Sequence, residues 1–212
     1  MKNRDKILAV VGLLVTLGFP ALPTGTWYDM YVGKQHLVGY ELIWWAVVAS
    51  VLFFVLLAEK RPLGSIGFRP PGVRDILIGL GGGVVILAGL ALIYIVIFPA
   101  LHVSENQAIN QVAATPFWWR FITVVRAAVA EEIFFRGYAI ERTQELTGSV
   151  RIAAIVPCAI FALEHVGYWG WWHLLVAGFA GAVLTALYIW RRNLWVTMLA
   201  HFVVDGAAFL VG

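Results

Sequence analysis

The sequence predicts an all-α, polytopic membrane bundle of about seven transmembrane helices around an intramembrane polar cavity. Composition is the first reason: 61% of residues are hydrophobic and only 13% charged, against about 25% charged in soluble domains, and the mean hydropathy is +0.85. Grouping is the second, because the apolar residues fall into runs of membrane length, about 20 residues sufficing for a hydrocarbon core of about 30 Å. Misplaced charge is the third. Glu131, Glu132 and Arg136 lie inside one run, His165 in the next, and His201 with Asp205 in the last. An ionised side chain in a bilayer costs about 2.5–3.5 kcal/mol on insertion scales, which makes a functional polar hollow its default reading.

Seven runs can be read, at 7–23, 37–58, 76–98, 117–140, 152–168, 171–190 and 194–211. Backbone groups in lipid need partners within their own segment, and runs of this length favour helices over the roughly ten-residue strands of a barrel. The first run follows Lys2, Arg4 and Lys6 as a signal peptide would, but no small-x-small site ends it, so a retained helix is expected. Glu59 to Asp75 forms a basic, turn-rich linker with three prolines, Pro62, Pro70 and Pro71. Glycines 79, 81, 82, 83 and 89 in the third run permit close helix packing. The loop 100–116 is polar and reads as an interfacial helix, with Asn106, Gln107, Asn110 and Gln111. The fourth run is expected to continue as helix through Glu141, Arg142 and Glu145 to a stop at Gly148. No internal repeat stands out, and residues 1–212 read as a single membrane domain. Within it, 1–75 hold peripheral helices and the basic linker, and 115–212 hold the catalytic core helices.

Charge sets orientation. Eleven of the fifteen Lys and Arg residues, from Lys2 through Arg61 and Arg142 to Arg192, share one side if the amino terminus is cytoplasmic, and the opposite loops hold only Lys34. That asymmetry predicts a cytoplasmic amino terminus and an external carboxyl terminus. Tryptophans 27, 118, 119, 169, 171 and 172 mark the outer boundary, and Trp190 and Trp195 the inner turn. The basic pI is thereby explained without nucleic acid. Cys158 is the only cysteine, lies mid-span and reads as a packing residue. A bacterial or archaeal plasma membrane is the expected location, and the oligomeric state stays open.

Glu131 lies 17 residues before Gly148 and His165 17 residues after it, so a helix hairpin at about 1.5 Å per residue sets them level. His201 reaches a similar depth from the next inner turn, in the half nearer the basic side. Glu132 and Arg136 are four apart and can pair on one helix face, leaving Glu131 free for the cavity. Phe161 and His165 share a face, as do His201 and Asp205, and a carboxylate one turn away can fix a histidine tautomer. His36, His102 and His173 lie beside loops and read as anchoring residues. Glu164, beside His165, is set to face water or Arg126, and Arg120 and Arg126 to snorkel or balance the acidic cluster. Chemically, Glu131 can take a proton from water while His165 holds that water. His201 and Asp205 can stabilise an oxyanion. Peptide or amide hydrolysis is the implied reaction. Zn²⁺ held by Glu131, His165 and His201 is the competing chemistry, although no H-E-x-x-H is present.

Three motifs, Glu131-Glu132-x-x-x-Arg136, Phe161-x-x-x-His165 and His201-x-x-x-Asp205, together with the strings AEEIFFRGYAI, IFALEH and NLWVTMLAHFVVD, resemble the CPBP family. These are type II CAAX prenyl endopeptidases and bacteriocin-processing (Abi-like) membrane proteins. The resemblance covers roughly 115–212. It implies an intramembrane endopeptidase whose cavity opens to the cytoplasm and laterally to lipid. The substrate would be a membrane-anchored peptide or protein, prenylated or bearing a C-terminal signal. It implies Glu131 and His165 activating water, His201 and residue 205 at the oxyanion, and no cofactor required, with zinc the alternative. Asp205 replaces the commoner Asn, which favours a role in supporting His201. A non-catalytic scaffold or immunity protein and a proton-coupled transporter are the competing classes, and neither needs this full charged set.

Overall fold

In the computed structural model, residues 2–22, 37–103, 112 and 114–211 are described, and all regular structure among them is helical. Seven helices follow in chain order. The first is α1, Asn3–Gly18. Next comes α2, Leu37–Phe53, which runs into a π turn at Phe54–Ala58. Helix α3, Val73–Leu92, continues through Ile93–Ile97 and Phe98–Ala100. Helix α4 runs from Phe117–Arg126 through a π-helical stretch, Ala127–Ile140, into Glu141–Thr147. Helix α5, Val150–Glu164, is followed by a single turn, Val166–Trp169. Helices α6, His173–Arg191, and α7, Leu194–Phe209, complete the bundle. Trp27, Lys34, His36 and the polar loop residues Asn106, Gln107, Asn110 and Gln111 lie outside the described residues.

Among the described residues, four spans are long and apolar enough to cross a bilayer by length and composition: Val38–Ala58, Val73–Ala100, Val150–Trp169 and His173–Arg191. Helix α7 is a shorter apolar helix. Polarity is arranged inside out, as a lipid-facing bundle requires. Leu57, Ile95 and Ile155 are each more than 60% exposed, whereas Glu132 and Arg136 are at most 1% exposed. The protein is an integral membrane helical bundle.

Helix α4 is the axis. In its stretch Ala127–Ile140 every residue except Val129 and Glu131 is buried. Trp44 of α2 stacks on Phe134, with ring centroids 6.3 Å apart, and the Tyr138 hydroxyl donates to Glu59 at 2.7 Å. The helix stops where expected. Gly148 takes φ 71° at the C-terminal cap, its N–H donating to Gln144 O at 2.8 Å, a left-handed conformation that glycine adopts without a Cβ penalty. Ser149 then caps α5 by accepting from the Ile152 N–H.

One end of the bundle is tied by ion pairs. Arg142 donates to Glu59 at 3.0 Å and to the Ser65 carbonyl at 3.4 Å. Arg61 pairs with Glu145 at 2.7 Å and Arg192 with Glu141 at 2.9 Å. Arg191 reaches Asp75 at 2.7 Å. Burial works against the Arg142 charge, yet the hydrogen bonds and charge of Glu59 outweigh it and raise this guanidinium above its usual value. The basic linker is therefore folded onto the bundle, with Ile66 fully buried and Gly67 O accepting from the Leu194 N–H at 2.9 Å.

Candidate active site

The Glu132 carboxylate is the hub of the site. Its Oε1 accepts from Arg136 Nη1 at 3.0 Å, one helical turn on, and from His201 Nδ1 at 2.9 Å, across the bundle on α7. Arg136 also donates from Nη2 to the Gly181 carbonyl of α6 at 3.2 Å, and its guanidinium carbon lies 4.2 Å from the centre of the Phe161 ring on α5. One buried pair thus clamps α4, α5, α6 and α7. The i, i+4 pairing of Glu132 with Arg136 follows the sequence expectation. Contact between Glu132 and His201 joins residues 69 apart and does not.

Glu131 turns the other way, into a cavity of about 790 Å³. Its Oε2 lies 4.0 Å from His201 Nε2 and is buried without a hydrogen-bond partner among the described residues. That spacing is too long for a direct hydrogen bond, but one oxygen about 2.8 Å from each could touch both. Asp205 Oδ2 lies 3.4 Å from the same imidazole nitrogen.

His165 ends α5 and faces the same cavity. Its Nδ1–H donates to the Phe161 carbonyl at 2.7 Å, because a carbonyl can only accept. In the neutral ring that leaves the Nε2 lone pair free to accept a proton or hold a water. The Phe161 ring walls it at 4.5 Å between centroids. All four residues expected to carry chemistry, Glu131, His165, His201 and Asp205, line this cavity together with Phe161. Glu132 and Arg136 lie outside that lining and hold it in place.

Several residues differ from their sequence reading. His173 is no loop anchor; it lines the cavity, stacked on His165 at 5.9 Å and 11° and on Trp169 at 5.2 Å. Arg126 donates to Glu41 of α2 at 2.9 Å, both largely buried, with its guanidinium carbon 4.7 Å from the Trp44 ring centre. Glu41 therefore takes the partner that Glu164 was a candidate for. The clue was available, since Glu41 is a charge inside an apolar run just as Glu131 is. Glu164 Oε1 is buried without a hydrogen-bond partner among the described residues. As for the zinc set, Nδ1 of His201 is engaged by Glu132. Among the described residues no three His, Cys, Asp or Glu side chains are arranged to hold a metal ion.

Residues 113–207, the stretch holding all of these groups from Arg126 to Asp205, match the model of the family described as type II CAAX prenyl endopeptidase Rce1-like. Over that segment the chain is similar to this family. That similarity supports a membrane protease of the CAAX type, a hydrolase acting on a peptide in a membrane setting. No curated protein and no solved structure gives a significant match to the chain. Helices α1 to α3 lie outside the family match, yet α2 contributes Tyr40, and α3 with its continuation Ile86, Leu90 and Tyr94, to the wall of the cavity.

Proposed function

We propose that this chain is an intramembrane endopeptidase in which Glu131 is the general base, and that it works without a resident metal. Glu131 Oε2 takes a proton from a water molecule that His165 Nε2 helps to hold. The hydroxide adds to the carbonyl carbon of a peptide bond, and the carbonyl oxygen becomes an oxyanion. His201 donates its Nε2–H to that oxygen. With Nδ1–H already committed to Glu132, an imidazolium at His201 has Glu132 and Asp205 as counter-charges on either side. Asp205 thus supports His201 and does not itself face the oxyanion as a carboxylate. Collapse of the intermediate breaks the C–N bond, and Glu131 returns the proton to the leaving amine. The substrate is a membrane-associated peptide or protein, prenylated or bearing a C-terminal signal. A cavity of about 790 Å³ is within the size range of small-molecule and peptide-end sites.

One observation carries this reading: an unpartnered carboxylate oxygen of Glu131 sits 4.0 Å from an imidazole nitrogen in a buried hollow. The test is Glu131→Gln in purified protein reconstituted with a membrane-anchored reporter peptide. Cleavage should fall by about 10²–10⁴-fold, the usual worth of a positioned base, with thermal stability unchanged. Undiminished cleavage would remove Glu131 from that role.

A further inference from the structure

The bundle has two chemically distinct ends, and the catalytic hollow reaches only one of them. The first end holds the α4–α5 turn at Gly148, the α6–α7 turn at Arg192 and the linker from Glu59, knitted by Arg61 with Glu145, Arg142 with Glu59, Arg192 with Glu141, and Arg191 with Asp75. Arg4 of α1 joins it, donating to the Ala58 carbonyl at 2.8 Å. The second end holds the start of α4, the α5–α6 turn and the end of α7. There Phe98 meets Trp172 at 6.4 Å and Trp169 stacks on Phe209 at 5.9 Å.

The cavity is floored by Glu131, Phe161, Leu184 and His201 and runs from there to Thr115, Trp119, Tyr168, Trp169, Ala208 and Phe209 at the second end. No lining residue lies between 132 and 160 or between 185 and 200, the segments that build the first end. Below the floor, the Glu132–Arg136–His201 clamp and the ion-paired end close the passage.

The two ends also differ in charge. Eleven of the fifteen Lys and Arg residues belong to the first end: Lys2, Arg4, Lys6, Lys60, Arg61, Arg69, Arg74, Arg142, Arg151, Arg191 and Arg192. Its described acidic residues, Asp5, Glu59, Asp75, Glu141 and Glu145, leave it strongly positive. Positive loops stay in the cytoplasm.

From these two facts together we propose that the hollow opens on the extracytoplasmic face. Its substrates are then peptide segments that lie on, or have been translocated to, that face. The cytoplasmic opening implied by the family resemblance is the opposite orientation. The substrate clause rests on the protease reading above; the direction of opening does not.

Single cysteines placed in the full chain with Cys158→Ser test it. A charged, membrane-impermeant maleimide added to intact cells should modify Thr115→Cys and Ala208→Cys, and should reach Arg151→Cys only after permeabilisation. The reverse pattern would overturn the proposal. In purified protein, a bulky adduct on Ala208→Cys should slow cleavage of the reporter peptide at least tenfold relative to the same unmodified variant, whereas an adduct on Arg151→Cys should not. Equal cleavage with and without the Ala208→Cys adduct would place the mouth elsewhere. If no variant cleaves at all, the protease reading fails while the labelling result still decides the orientation.

Discussion

His201 on α7 and Glu132 on α4 share a hydrogen bond of 2.9 Å, through the same carboxylate oxygen that holds Arg136 at 3.0 Å. The imidazole is therefore oriented by an ion pair that never faces the cavity. Its Nδ1 edge is fixed, and its Nε2 edge is presented to Glu131 and Asp205.

Removing the Glu132 charge should be costly. Glu132→Gln keeps the shape but leaves Arg136, about 1% exposed, without its counter-ion. Breaking a buried pair from one side costs about 3–5 kcal/mol. The expected result is a lowered melting temperature and cleavage reduced at least tenfold. Adding Arg136→Met should recover stability without recovering cleavage, because His201 stays unanchored. A single variant as stable as the parent would show that the clamp is not what holds the four helices.

Local relations were legible in the sequence, and distant ones were not. The Glu132–Arg136 pair, the shared face of Phe161 and His165, and the stop at Gly148 each follow from 3.6-residue periodicity or glycine's access to positive φ. Hairpin and turn depths permitted α4, α5 and α7 to bring these groups level, and Glu131, His165 and His201 line one cavity. Hidden were the contacts that depend on how helices rotate against each other. Those are Glu132 with His201, Arg126 with Glu41, and His173 stacked on His165. The π-helical winding of Ala127–Ile140 was hidden too, since its residues read equally well as an α-helix.

Close packing of α3 on α7 depends on individual glycines. A Cβ built on Gly79 would lie 2.8 Å from the Val196 carbonyl oxygen and 3.0 Å from Leu199 Cβ, while one on Gly81 would meet nothing within 4 Å. Gly79→Ala should therefore push α3 from α7 and cost about 1–3 kcal/mol. Because α7 carries His201, activity should fall with it. Gly81→Ala, on the open face, should be neutral or slightly stabilising, since alanine is the better helix former by about 1 kcal/mol. Thermal unfolding in detergent separates the two, and equal behaviour would dismiss the close-approach explanation.

Glu41 and Arg126 tie α2, which lies outside the family match, to the cavity wall. Glu41→Gln should destabilise the protein by about 3 kcal/mol, since it strands the charge of a largely buried arginine. Arg126 keeps its stacking on Trp44, 4.7 Å away, so the loss should stay below that of truncating the whole pair. Stability unchanged by Glu41→Gln, measured by thermal unfolding, would mean that solvent reaches Arg126 and already compensates it.

The donor geometry also makes a prediction about metal. A catalytic zinc asks for three protein donors about 2.0–2.2 Å from one point. Here Nδ1 of His201 is held by Glu132. Its Nε2 lies 3.4 Å from Asp205 and 4.0 Å from Glu131, and no trio among the described residues is arranged around a common centre. Active protein purified without added metal should then carry well below one zinc per chain. Dialysis against a chelator should leave Glu131-dependent cleavage intact. The same groups would have to swing into a ligand set for the opposite result. A stoichiometric zinc whose removal abolishes cleavage, and whose return restores it, would replace the carboxylate-base mechanism with a metal-bound water held by Glu131, His165 and His201.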